Sequence, residues 1–200
     1  MNKGSVMETT SYNEKGKIQT VNTITIKDIE RGSDEVKLSI HAEIKDEKGK
    51  DVTTAEYDAH CKGNTFSINM KSMVSPEQYK AWEEMTVSMD ADDINYPTNL
   101  TVGQKLDDAH LKVTITMSGM NMPGTTIDIT ERVVQGMETV TTPAGTFDCV
   151  KISSKVKVKS IIGIEMNSVE WLSKGNGVIR TESYKGDKLK GYSEMTKLTK

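Results

Sequence analysis

Two hundred residues with 35% hydrophobic content, 5% aromatic content and a formal net charge of −3 need neither metal nor cofactor to fold, since a chain this long buries roughly 70% of the surface it exposes when unfolded. The 26 basic and 29 acidic residues are spread along the chain, which argues against nucleic acid as a partner, because that needs a concentrated basic footprint. No stretch approaches the roughly 20 apolar residues of a membrane span, and Met1 to Ser5 carry no apolar signal core, so these residues read either as a soluble chain or equally as a mature domain whose export signal lies upstream of Met1.

In chain order, residues 6–13 and 18–29 read as strands around the reversal Glu14-Lys15-Gly16-Lys17. Val36, Leu38, Ile40, Ala42 and Ile44 then alternate with Lys37, Ser39, His41, Glu43 and Lys45, the pattern of a strand with one wet face. Runs at 52–61 and 65–70 follow, each after a Gly-bearing turn. At Ser75-Pro76-Glu77-Gln78 the chemistry changes: Ser75 is an N-cap, Pro76 suits the first helical position and Gln78 completes a capping box. These predict one short helix over about 76–86, with Tyr79, Trp82 and Met85 forming an apolar stripe that covers an open sheet face.

Asp90-Ala91-Asp92-Asp93-Ile94-Asn95 offers oxygens but lacks the Gly and late Glu of a calcium loop, and reads as surface. Leu111, Val113, Ile115 and Met117 alternate against Lys112, Thr114 and Thr116. Met117, Met120 and Met122 then gather at a hairpin tip. Soft thioethers suit Cu(I); the readings taken instead are loop packing or an apolar lip around a cavity that would suit a lipid-like ligand, with no metal. A strand at 126–134 precedes the hairpin 138–152, which turns at Pro143-Ala144-Gly145. Lys151, Lys155, Lys157 and Lys159 share one side of the next strand and read as a solubilising face. Runs at 161–172, 178–184 and 188–198 complete the chain.

So many strands with short links make an antiparallel meander. A sheet of more than eight or ten strands curls. The expectation is therefore one all-β domain over residues 1–200, a strongly curved antiparallel sheet forming a half-barrel or open barrel, with one short helix packed on it. Its core rests on Val, Ile, Leu and 12 Met, a soft and adaptable filling.

Cys61 and Cys149 are the only cysteines. Bonded, they would close a loop worth about 4 to 5 kcal/mol; unbonded, they are two buried thiols. Cys149 alternates against Val150 and Ile152, away from the apolar side of its strand. His41, His60 and His110 show no metal-ligand spacing, and no catalytic signature is present.

Thr141-Thr142-Pro143-Ala144-Gly145-Thr146-Phe147-Asp148-Cys149-Val150-Lys151-Ile152, then Trp171, then Gly175 to Tyr184 and Lys190 to Met195 resemble the TapB-like group of uncharacterised bacterial envelope proteins, which are similar in turn to half-barrel lipoprotein carriers. Leu100 to Leu106 are compatible with it. The resemblance implies a periplasmic or outer-membrane-anchored protein, unknown in role and without catalytic residues, whose sheet cups an apolar ligand. On this reading the function is non-enzymatic, with an apolar or lipid-like molecule lined by Tyr79, Trp82, Met85, Met117, Met120 and Met122, or an envelope protein, as partner. The alternative is a structural or adaptor module with a solid core that binds a protein through its sheet edges.

Overall fold

The structure, a computed structural model, describes residues 2–74, 85–117, 120–160 and 163–200. Among these described residues thirteen strands form one antiparallel sheet: β1 (Val6–Asn13), β2 (Ile18–Arg31), β3 (Glu35–Asp46), β4 (Asp51–Lys62), β5 (Thr65–Asn69), β6 (Thr86–Ala91), β7 (Asp93–Pro97), β8 (Ala109–Met117), β9 (Met120–Thr142), β10 (Gly145–Lys159), β11 (Ile164–Ser173), β12 (Gly177–Lys185) and β13 (Lys188–Thr199). A 3₁₀ turn occupies Met70–Met73. The helix expected at 76–86 falls, except for its last two residues, outside the described residues; Met85 and Thr86 lead into and begin β6.

The spatial order is β6-β8-β9-β10-β11-β12-β13-β1-β2-β3-β4-β5-β7. Its two outermost strands, β6 and β7, are consecutive in sequence and separated only by Asp92. Asp92 donates its backbone N–H to the His110 carbonyl on β8 and accepts from the Met70 N–H with its own carbonyl. The two edges are thus successive halves of one extended segment, one half bonded to β8 and the other to β5. This bends the sheet into a nearly closed barrel.

The acidic run read as a surface loop is therefore the seam of the fold. Its carboxylates obscured the strand signal. Asp92 Oδ2 accepts from the His110 N–H, and Asn69 Nδ2 donates to Asp93 Oδ1, so acids stand where an edge strand is expected to carry charge. The strand expected at 126–134 and the arm of the hairpin at 138–142 are both parts of β9, which also extends back to Met120. Gln135 and Gly136 break the alternation where β9 bulges against β10.

Four apolar clusters of buried residues pack on the sheet. One centres on Met70, Leu111, Val113 and Ile115, a second on Tyr96, Leu100, Leu106, Val134 and Ile152, a third on Cys149, Trp171, Ile179 and Met195, and a fourth on Ile26, Ile40 and Ala59. Ile94, Phe66 and Met7 each belong to two of them and join them into one core. Cys149 (3% exposed) and Ile152 (0%) lie on opposite faces of β10, so both faces are covered there and the outward-pointing cysteine of the sequence pattern is explained. Each lysine of the solubilising face except Lys159 has an acid: Lys151 pairs with Glu138, Lys155 with Glu131 and Lys157 with Glu165.

At Gly124 the β8–β9 pairing shifts register, and an added Cβ would stand 2.1 Å from the Val113 carbonyl oxygen. Backbone rather than a flexible side chain is in the way. Gly124→Ala is expected to cost about 1–3 kcal/mol, read as a lowered urea midpoint with unchanged slope; an unchanged midpoint would mean that the bulge yields freely.

Candidate functional site

Two features break the regular barrel. The first is a buried polar clasp. Glu131, at φ 55, occupies a register shift of β9, and this left-handed residue, costly without a Cβ-free side chain, precedes Arg132, which is 2% exposed. The Arg132 guanidinium donates from Nη1 to the Asp107 carbonyl at 2.9 Å and from Nη2 to the Asn95 carbonyl at 3.2 Å. It lies 5.0 Å from the centre of the Tyr96 ring. The Tyr96 hydroxyl donates to Glu170 Oε2 at 3.2 Å.

Glu170 faces Ile152 across the β10–β11 pair. Burial pushes its carboxyl above the usual range, against the opposing pull of Arg132 and the Tyr96 hydrogen bond. Burial likewise raises the Tyr96 phenol, aided by the Glu170 charge. The chain between β7 and β8 extends the clasp: Gly103 N–H donates to the Val134 carbonyl, Val134 N–H to the Gln104 carbonyl, and Leu106 N–H to the Arg132 carbonyl. The Leu100 to Leu106 segment thereby becomes a strand-like strap carrying Leu100 and Leu106 into the core. No motif announced Arg132, Tyr96 or Glu170; the one available signal was a lone arginine, Arg132, inside an otherwise strand-like run.

The second feature is a cleft of about 530 Å³ at the seam. β4 pairs along its length with β3, but with β5 only over Ala59 to Lys62. Residues 51–58 thus have an outer edge with no strand partner among the described residues. This edge, Ala55 and Tyr57 included, makes one wall, and Asn69, Lys71, Ser72 and Val74 make the other. Asp58 is held below the usual carboxylate range, first by its bond to Lys37 and then by Ser39, while burial raises the Tyr57 phenol.

All three histidines sit against carboxylates: His41 between Glu56 and Glu43, His60 on Glu35 at 2.9 Å and His110 on Asp128 at 3.1 Å. No hydroxyl or thiol is hydrogen-bonded to any of these rings among the described residues. No group of three or more metal-ligating side chains stands together among them either.

Of the apolar ligand lining expected from the sequence, the members among the described residues, Met85, Met117, Met120 and Met122, do not line this cleft. Tyr79 and Trp82 lie outside the described residues. Met85 packs, half-buried, against the Leu111 cluster. Met117, Met120 and Met122 stand at the tip of the β8–β9 hairpin, 39%, 65% and 38% exposed. Cys61 and Cys149 are free thiols. They sit on β4 and β10, far apart in the sheet order, and Cys149 is packed with Trp171 and Met195, so the bond weighed from the sequence is not formed here. A further network on β12 and β13 joins Arg180 to Glu182 at 2.8 Å and to Glu194 at 3.0 Å, with the guanidinium over the Tyr192 ring, which stacks on Tyr12.

An almost closed antiparallel barrel, strapped at one end and open along part of its seam, defines an all-β class of protein. The chain belongs to the DUF3108-like family, which it matches over residues 2–195. Among solved structures it is similar to a Bacteroides fragilis protein described as exported and as having a YmcC-like fold, with a TM-score of 0.81 at 22% identity, covering 100% of this chain and 97% of that one. It is also similar to a Parabacteroides distasonis protein described as a lipoprotein, with a TM-score of 0.79 at 24% identity over 99% and 96% of the two chains. Among curated proteins none matches significantly.

A carboxyl whose pKa is higher folded than unfolded binds its proton more tightly in the native state. The stability Glu170 contributes is therefore complete below the unfolded value of about 4.3 and is lost as pH rises through the raised folded value. Glu170→Gln keeps an acceptor for Tyr96 and removes the titration. Its melting temperature, relative to the unaltered protein, is expected to improve from pH 4 to pH 7.5; a constant difference would show that Glu170 does not titrate abnormally.

Burial raises both thiols, Cys149 to about 11 with help from the Asp148 and Glu138 charges. Little thiolate is then present at pH 8. Native protein should react slowly with a thiol reagent, and unreduced protein in denaturant should release two thiols; fewer would show a disulfide.

Proposed function

We propose that the protein is a non-enzymatic component of the bacterial cell envelope, periplasmic or anchored to the outer membrane, that acts by binding a protein partner at its barrel seam. The observation that carries this reading is the outer edge of β4 over residues 51–58, which runs beside the cleft without a strand partner among the described residues. An exposed edge of this kind accepts an extended segment as an added strand: main-chain bonds supply affinity, and alternate side chains enter pockets. Ala55 and Tyr57 offer apolar contact, and Glu56, Asp58 and Lys71 offer charge, within the same cleft.

The filled interior favours this adaptor role over a carrier of long acyl chains, because Arg132, Tyr96, Leu100 and Leu106 occupy the space at the strapped end. The envelope address is supported by the similar structures described as exported and as a lipoprotein and by the likeness of the C-terminal sixty residues to TapB-like proteins. A second reading, a small apolar or lipid-like ligand, is favoured by the cleft's volume, which lies within the range of small-molecule sites, and by Ala55, Tyr57 and Val74 on its walls.

A photo-crosslinking residue at position 55 or 72, in protein produced from its own gene, tests both. Covalent adducts with one envelope protein at these positions, and none at the control position 146, are expected, with the chain recovered in the envelope fraction. Native mass spectrometry of the same material showing bound lipid and no adduct would favour the second reading. An apo mass with no adduct, or recovery from the cytoplasm, would overturn the proposal.

A further inference from the structure

The connectivity sorts the turns between two ends of the barrel. The β1–β2, β3–β4, β8–β9, β10–β11 and β12–β13 turns lie at one end. The β2–β3, β4–β5, β7–β8, β9–β10 and β11–β12 connections lie at the other, together with the start of β1 and the end of β13, which pair as Val6 with Thr199; β6 begins at the first end, where Thr86 pairs with Thr116.

Exposed apolar side chains are distributed very unequally between these ends. Ile18, Val52, Met117, Met120, Met122 and Ile164 all flank the turns of the first end, whereas Val102 and Met137 are the exposed large apolar residues of the second. They are also not accidental surface residues. Met117 pairs with Met120 and Ile115 with Met122, so all three methionines continue the buried row Leu111, Val113 and Ile115 on the same face of the hairpin, out past the core into solvent. Ile164 does the same on the next hairpin, since Leu111, Ile127, Val158 and Ile164 are successive cross-strand partners.

Lysines stand among them. Lys15, Lys48, Lys50, Lys159, Lys185 and Lys188 are exposed at or next to these same turns and form no ion pair among the described residues. The carboxylates there are fewer or already engaged: Glu47 is bound to Lys17, Asp51 to Lys45 and Glu165 to Lys157. Asp46 accepts from the backbone of Lys48 and Lys50 within its own turn. Glu14, Asp187 and Asp46, whose charge its backbone bonds do not cancel, stand against these six lysines, so among the described residues the rim carries an excess of positive charge.

We infer that this rim docks on an anionic lipid surface, its methionine tip and neighbouring apolar side chains entering the interface while the lysines engage the headgroups. Separate apolar tips arranged around a ring fit a flat, deformable partner better than the contoured face of a protein. Flexible thioethers suit an irregular apolar medium. Lysines can lay their stems along it and keep their charge among the headgroups, where each adds to the attraction.

The test is flotation of the purified 200-residue chain with vesicles of phosphatidylethanolamine and phosphatidylglycerol at 7:3, against vesicles of phosphatidylcholine alone. Binding to the first and at least fivefold less to the second is expected, falling several-fold in 0.5 M salt as screening shortens the reach of the lysines. Two variants separate the contributions: M117S/M120S/M122S and K48E/K50E/K185E should each reduce binding at least fivefold with an unchanged circular dichroism spectrum. V102S/M137S, at the opposite end, should bind as the unaltered chain does. Absence of flotation with the anionic vesicles, or unaltered binding by both rim variants, overturns the inference. So does a concentration-dependent dimer that the methionine variant abolishes, which would assign the rim to a second copy of the chain.

Discussion

Arg132 is held by two backbone carbonyls from separate parts of the chain and by the face of Tyr96, whose hydroxyl reaches Glu170. In the sheet order these groups come from β9, from the strap before β8, from the last strand β7 and from β11. One side chain and its neighbour therefore tie β7 to β9 and β11, strands that no ladder of hydrogen bonds joins to it. A curled sheet without such a connection would leave two long rows of unpaired backbone groups, which invite uncontrolled pairing between chains. The clasp instead fixes how far the sheet must bend before its edges meet at Asp92. A guanidinium is suited to this because it remains charged and presents several donors in a rigid plane, and its desolvation is offset by the carbonyls and the ring it touches.

Closing the barrel at one end has a consequence at the other. β5 and β7 are both five residues long, and they complete the wall only beside the strap. Beyond Asn69 the chain leaves the sheet in the 3₁₀ turn, so the longer β4 continues toward the opposite end paired with β3 and without a second strand partner among the described residues. The open edge of β4 and the cleft beside it thus follow from unequal strand lengths around a fixed seam. The same inequality lets the β8–β9 hairpin outrun its neighbours: Lys159, the end of β10, pairs with Thr126, leaving Met120 to Thr125 of β9 beyond it. Both proposed contact surfaces lie where strands continue past the partners that would have buried them.

Much of this architecture was legible because alternation reports one buried face directly. The strand pattern from Val36 to Lys45, the turn at Pro143-Ala144-Gly145 and the glycine-bearing reversals specify pairing between neighbours in sequence, and the register agrees. The closure was not legible, for a physical reason. β6 and β7 pair with β8 and β5, their short lengths give alternation little room, and their acids satisfy an edge rather than a core. The candidate site suffered in the same way. Arg132, Tyr96 and Glu170 meet only because a sheet of thirteen strands brings β7 around to β9 and β11, and nothing local in any of the three segments records that encounter.

The methionines show what an alternating pattern states and what it leaves open. Met117, Met120 and Met122 were recognised as an apolar lip from their spacing, and they do lie on one face at a hairpin tip. A lip implies a cavity behind it, however, and here the space behind is the packed row of Ile115, Val113 and Leu111. Alternation states which residues share a face, not whether that face is capped by packing, by a ligand or by solvent. Capping is decided by how far each strand runs relative to its neighbours, a property of the register of the whole sheet. In a barrel with unequal strands, the same apolar row is core along most of its length and contact surface where it outlasts the wall.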